Sequence, residues 1–405
     1  MTGNLLLVRS ARQLITLRGA RGPRRGTDLR ELGIVADGAI LIHNDTIVDV
    51  GPSRRLENLA EARRAINIDA AGRVVMPAFI DSEVHLLAPG LLPEAEPLEA
   101  AWHAAARNVT AKSSHRLVAQ ARIVSERMAR HGTAQVEALS RISLEASNSI
   151  KALRIHAGVD QRPLSVVSTL LATLTETRTL EHKKSLVDHI CRHIVPTVAR
   201  RKLARFVALS AAAADPLTRR VVDVSQAAGL GVKVFCDELD PAEGIRLSIA
   251  ARATSVSSLG RVKPAQIREL AAADAIALLT CPQPEQSGER PDVARALVDE
   301  GAAIALATGF RPSGAGTYSM QHALYLAVNA MRLHPAEAIA AGTINAAYNQ
   351  AAGAETGSIE PGKRADFILL NVSDYRELFV RPGINAVHLM VKAGKVVYRE
   401  ADVTG

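Results

Sequence analysis

The sequence predicts an α/β protein: a parallel α/β barrel with a small β-sandwich beside it, the sandwich drawing on both chain ends. Two observations carry this prediction. From about Pro93 to Gly353, short apolar runs alternate with Ala-rich segments of helical period, the pattern of repeated βα units. Before and after that stretch, strand signals dominate. An open doubly wound sheet is the alternative for the middle, but no GxGxxG follows a first strand, so nothing marks a dinucleotide site.

The elements follow in order. LLLV and QLITL near the start read as short strands, and ARGPRRG reads as a loop. This Arg-rich, acid-poor start also fits a transit peptide; the strand reading is preferred, with the cytoplasm as the expected address. IVADGAILIHNDTIVDV holds two β-rich runs joined by a turn at His43-Asn44-Asp45. RVVMPAFID, from Arg73, reads as a further strand. In the middle, RPLSVVSTLLA, GVKVFCD, AIALLTC and AAIALATG are strand-like, and PAQIRELAAAD and PDVARALVDEG are helix-like. ADFILLNV and HLMVKAGKVVYRE return to strand texture, with a tight turn at Ala393-Gly394.

Bulk properties narrow the function classes. At 405 residues the chain can build one large domain and a smaller one. No apolar run reaches the about 18 residues that a membrane helix needs. The 49 basic and 41 acidic residues leave a net charge of +8, but the arginines are scattered and aromatics make up only 3%. That is poor material for stacking bases, so no nucleic-acid partner is expected. Cys191, Cys236 and Cys281 are far apart and form no CxxC, as in a reducing compartment.

PAFIDSEVHLL is the informative stretch. Glu83 and His85 are two residues apart, which on a strand puts both side chains on one face. Both are legitimate zinc ligands, although a lone strand-end histidine is more often a hydrogen-bonded scaffold residue.

GRVVMPAFIDSEVHLL, GVKVFCDELDP, ALVDEGAAIALATGFRPSG, TINAAYNQAAG and GSIEPGKRADFILLNV together resemble the amidohydrolase superfamily, and within it the imidazolonepropionases. The resemblance spans almost the whole chain. It implies a metal-dependent (β/α)8 barrel over residues 77–355, with a composite β-sandwich from residues 1–76 and 356–405. It also implies zinc or iron at the C-terminal strand ends, hydrolysis of a non-peptide C–N bond, and a homodimer by analogy.

At the strand ends this sequence departs from the family pattern. The family's His-x-His corresponds to Glu83 and His85. The ligand in its KIHADE-like segment corresponds to Phe235, and neighbouring Cys236 points to the opposite face. A later histidine corresponds to Ser258, and the Asp of an ATDFNPG-like segment corresponds to Gly309. On the substrate side, the family's Arg, Tyr and His correspond to Leu92, Ile142 and Leu174. Glu238 remains at the family's acid/base position and is the one catalytic candidate. The expectation is therefore a degenerate member, a pseudoenzyme, with no cofactor and with Glu83 and His85 as vestiges of a metal site. A small-molecule ligand is compatible with this reading. The rivals are an active cyclic amidohydrolase with an altered site, and a non-catalytic subunit.

Three further features carry weaker signals. His189 and His193 stand at i, i+4, but the flanks read as an amphipathic outer helix without an HExxH glutamate. Cys281 follows a strand with no nearby base, so a structural thiol is preferred. Gly314-Ala315-Gly316 could cradle an anion, but a plain loop is the simpler reading.

Overall fold

A computed structural model describes residues 4–19, 21–87, 106–141, 146–161, 163–174, 179–236, 240–281, 292–310 and 317–401. The N-terminal strands are β1 (Leu5–Ile15), β2 (Ile34–His43), β3 (Thr46–Pro52), β4 (Ile66–Asp69) and β5 (Val74–Pro77). LLLV and QLITL are thus parts of one strand rather than two. Its pairing with β2 shifts register between Val8 and Ala11, where Ser10 has a φ of 59°. A bulge absorbs the irregularity that the sequence shows as a break.

RVVMPAFID is divided at Pro77. β5 pairs with β1, and the chain then crosses into the barrel as β6 (Phe79–Val84). Ala78 donates its N–H to Asp366 of the terminal sheet, and Phe79 donates to Gly132 of the barrel. Proline has no N–H to continue a ladder, so the switch between sheets falls there.

The barrel continues with β7 (Thr133–Arg141), β8 (Ser165–Thr173), β9 (Phe206–Ser210), β10 (Gly231–Phe235), β11 (Ser255–Ser257), β12 (Ile276–Thr280) and β13 (Ile304–Ala307). All neighbours are parallel and in sequence order. A parallel bridge between Val84 and Phe310 brings the last strand back beside the first. Helices between the strands cover the outside. Their starts are marked in the sequence: Ser113, Thr179, Asp215, Asp240 and Ser319 each accept a first-turn N–H, and Pro216 and Pro241 follow two of them.

After the barrel, β14 (Phe367–Leu370), β15 (Val387–Lys392) and β16 (Lys395–Arg399) return to the first sheet. β14 pairs with β5, so both chain ends form one eight-stranded sheet. That sheet curls until its two hairpin turns meet. The Asn44 turn has a φ of 58°, the Ala393-Gly394 turn has φ values of 48° and 72°, and a Cβ on Gly394 would lie 1.8 Å from the Asn44 carbonyl oxygen. Val8, Ile40, Ile42, Phe367, Leu389 and Val391 fill the space enclosed.

Candidate functional site

Strand alternation sorts the barrel side chains. Val136 and Ala138 on β7, Leu170 and Ala172 on β8, Val207 and Leu209 on β9, and Val232 and Val234 on β10 join the cores under the helices. The intervening residues therefore face the interior, where they form three layers.

The lowest layer is charged. Lys233 Nζ lies 2.5 Å from Glu137 Oε2 and donates to the Asn349 carbonyl at 2.8 Å. Thr169 Oγ1 donates to Glu137 Oε1 at 2.7 Å, and Asn349 Nδ2 donates to Oε2 at 3.2 Å. The ammonium sits 4.4 Å from the centroid of the Phe206 ring. Burial pushes the Lys233 pKa down, and the charges of Glu137 and Glu83 act against that shift. Glu83 thus shares this interior.

The middle layer is apolar. Leu139, Leu171, Ala208 and Phe235, one from each of four successive strands, form a cluster of their own. The rim above is polar: Arg141 ends β7, Thr173 ends β8 and Ser210 ends β9. Arg141 donates from Nε and Nη2 to the Thr173 hydroxyl at 3.3 and 3.2 Å.

On β6, Asp81, Glu83 and His85 are all buried. Asp81 accepts from the Thr308 N–H at 3.0 Å, the Thr308 hydroxyl at 2.5 Å and the Glu83 N–H at 3.4 Å. Desolvation pushes its pKa up to about 6 against the pull of these bonds. The His85 N–H donates to the Phe310 carbonyl at 3.0 Å. Asp81 and His85 therefore fasten the first barrel strand to the segment after the last one.

The sequence-derived candidates fall as follows. Glu83 lies on β6 and His85 directly follows its last residue, and both are buried. Phe235 faces inward, and Cys236 lies on the opposite face against Gly244 of the helix Pro241–Ala250. Ser258 stands just beyond β11 in a left-handed conformation (φ 63°). Gly309 also has a positive φ, 62°, and a Cβ there would lie 3.2 Å from Thr280 Cβ. Leu174 does not line the mouth; it packs in the outer core, because the inward residue at that end of β8 is Thr173. Glu238, Leu92, Ile142 and the Gly314–Gly316 run lie outside the described residues.

The histidine pair is not on a regular helix face. A π-helical turn, Ile190–Ile194, begins directly after His189 and contains His193, with ring centroids 5.6 Å apart. All three cysteines are buried, and none is in a disulfide.

Sequence reasoning did not single out Asp81, Glu137, Lys233 or Arg141. A signal was present for the first three. Each is a charge inside an otherwise apolar strand, in AFID, QVEALS and GVKVF, and a buried charge needs a partner.

The sequence profile described as the amidohydrolase family matches residues 74–397. The chain belongs to the amidohydrolase family. Among amidohydrolase-family relatives, the imidazolonepropionase of Geobacillus kaustophilus (strain HTA426) is 33% identical, covering 98% of this chain and 99% of that protein. The imidazolonepropionase of Geobacillus thermodenitrificans (strain NG80-2) is 31% identical over 98% of this chain and 99% of its own. Among solved structures, E. coli guanine deaminase superposes with a TM-score of 0.72 at 15% identity, covering 98% of this chain and 100% of that one. A. niger ochratoxinase gives 0.70 at 15% identity, covering 98% and 96%. The chain is an imidazolonepropionase-like amidohydrolase-family protein on these grounds, and the structural neighbours establish the fold.

Membership implies a metal at the strand ends. Among the described residues, no group of three or more His, Cys, Asp and Glu side chains is arranged to hold one. Glu83 and His85 offer donors, whereas the ring of Phe235 and the bare Cα of Gly309 offer none. No helix among the described residues is long and apolar enough to cross a membrane.

Proposed function

We propose that this protein keeps the amidohydrolase barrel as a small-molecule binding scaffold and does not perform metal-dependent C–N hydrolysis. The observation that carries this reading is the apolar layer of Leu139, Leu171, Ala208 and Phe235. It lies where strand-end donors would have to converge. A catalytic zinc takes three protein ligands, and the described donor set of Glu83 and His85 does not fit that requirement. The consequence is large. A catalytic metal lowers the pKa of bound water from 15.7 to about 7. Losing it removes roughly eight orders of magnitude of hydroxide near neutral pH. A general base such as Glu238 returns about 10²–10⁴. A scaffold with a closed metal site can still bind, because affinity needs shape and a few polar groups, not ionised water.

The test combines metal analysis of the purified full-length chain with a turnover assay on imidazolonepropionate. Substoichiometric zinc and iron with turnover at background are expected. A stoichiometric metal together with robust turnover would overturn the proposal.

A second reading is metal-free acid–base hydrolysis by Glu83, His85 and Glu238. The burial of both Glu83 and His85, two residues apart at the end of the first barrel strand, favours it. On this reading Glu83→Gln abolishes a measurable hydrolysis; on the scaffold reading there is no activity for it to abolish.

A further inference from the structure

The histidine pair on the outer helical wall takes no part in the barrel interior. His189 ends the helix Leu180–His189, and His193 lies in the π-helical turn Ile190–Ile194 that joins it to the helix Val195–Arg200. The two rings are 5.6 Å apart between centroids and tilted by 47°. His193 is exposed and His189 is half-buried. Nε2 of His189 is itself buried and has no hydrogen-bond partner among the described residues, and an unsatisfied buried nitrogen costs free energy. Burial and the charge of His193 both push the His189 pKa down, toward the neutral imidazole that binds metals.

We propose that His189 and His193 form an exchangeable two-imidazole site for a divalent first-row transition metal, which clips the two helices together across the π-turn. Imidazole suits zinc, copper and nickel. The ring separation lets one nitrogen of each histidine reach a shared ion at the about 2.0–2.1 Å of a Zn–N bond. No third His, Cys, Asp or Glu among the described residues completes a site with them. Asp188 is engaged by Arg220 at 2.6 Å and lies 3.9 Å from Arg192, so it offsets their charge rather than serving as a ligand. Cys191 is buried, with its Sγ 3.9 Å from the Arg220 carbonyl. Water therefore completes the shell, and an ion with only two protein donors is readily lost on purification.

The bland alternative is that the π-turn exists only for Pro196, near the start of the second helix. A proline ring clashes with the carbonyl four residues back, here that of Arg192, and a π-turn relieves the clash. That explains the turn without any metal, but it assigns nothing to the paired rings. The two roles separate when metal is added. The pair lies apart from the strand ends, so this proposal and the scaffold reading stand or fall independently.

The test is titration calorimetry on the EDTA-stripped full chain near neutral pH, with Cu²⁺, Ni²⁺, Zn²⁺ and Mn²⁺. One Cu²⁺ per chain is expected, bound more tightly than Ni²⁺ or Zn²⁺, with Mn²⁺ the weakest. The electron paramagnetic resonance spectrum of the Cu²⁺ form should show two imidazole nitrogens, and one in His193→Gln. His189→Gln and His193→Gln should each weaken Cu²⁺ and Zn²⁺ binding about tenfold or more, whereas His85→Gln should leave the titration unchanged. With Ni²⁺ at about 100-fold its dissociation constant, the unfolding equilibrium constant in urea should fall by up to about 100-fold, and His193→Gln should lose that shift. Were His189→Gln unable to fold, the exposed His193 carries the test. Undiminished binding in His193→Gln means an adventitious ion only and overturns the proposal. So does loss of binding in His85→Gln with His193→Gln unaffected. Binding through the pair with no effect on unfolding overturns the clip.

Discussion

Lys233→Met gives the sharpest test of the barrel interior. The two charges of the Lys233–Glu137 pair are 2.5 Å apart, with side chains only 3% and 1% exposed. At an effective dielectric of about 20, their attraction is about 7 kcal/mol. Desolvating each ion costs several kcal/mol, so the intact pair contributes little net stability. Removing one partner is a different matter. Glu137 would keep the Thr169 hydroxyl and the Asn349 amide, two neutral donors, but lose its counter-charge in a water-poor interior. Lys233→Met should therefore cost about 3–5 kcal/mol in urea unfolding followed by circular dichroism. The double variant Lys233→Met with Glu137→Leu removes both charges and should recover at least about 2 kcal/mol of that loss. A loss under about 1 kcal/mol for the single variant, or simple additivity in the double, would refute the view that these charges are buried together and balance each other.

Three further outcomes follow from particular contacts. His156 is fully buried, its Nδ1 lies 3.3 Å from the Ser168 hydroxyl, and burial pushes its pKa down to about 4. The folded state therefore binds fewer protons than the unfolded state between about pH 4 and 6.5. Its contribution, at most about 3 kcal/mol, is complete above pH 6.5 and lost as pH falls toward 4. Unfolding measured at pH 4.5 and 7 should show that loss, and His156→Leu should shrink it. Gly394→Ala drives a methyl group onto the Asn44 carbonyl; a loss of about 2 kcal/mol or more in thermal or urea unfolding is expected, because one of two contacting turns must move. Gly309→Asp, which places a carboxylate at the family's position, should destabilise by about 1–2 kcal/mol, since φ is 62° and Thr280 lies close. Zinc titration of this variant should still show no tight site, because Phe235 contributes no donor.

Much of the fold was legible locally. Strands and helices alternate because each must bury one side, and period two or period 3.6 is written into nearby residues. The turns at Asn44 and Ala393-Gly394 were visible because left-handed backbone selects a few residue types. Local texture missed two details: the bulge that keeps β1 continuous, and the division of RVVMPAFID into two strands at Pro77. At the site, the two-residue spacing placed Glu83 and His85 on one face. Leu174 was matched to the family's histidine by resemblance alone, and the structure puts its side chain in the outer core with Thr173 facing inward.

By itself, then, the sequence determined the barrel, the contribution of both ends to a second sheet, and the inward direction of Phe235. Only the tertiary structure decided that Glu137 meets Lys233 across 96 residues, and that four strands contribute one apolar layer with Arg141 above it. The physical reason is register. Which residues of parallel neighbours stand level is set by closure of the whole barrel, and no short stretch of chain encodes that.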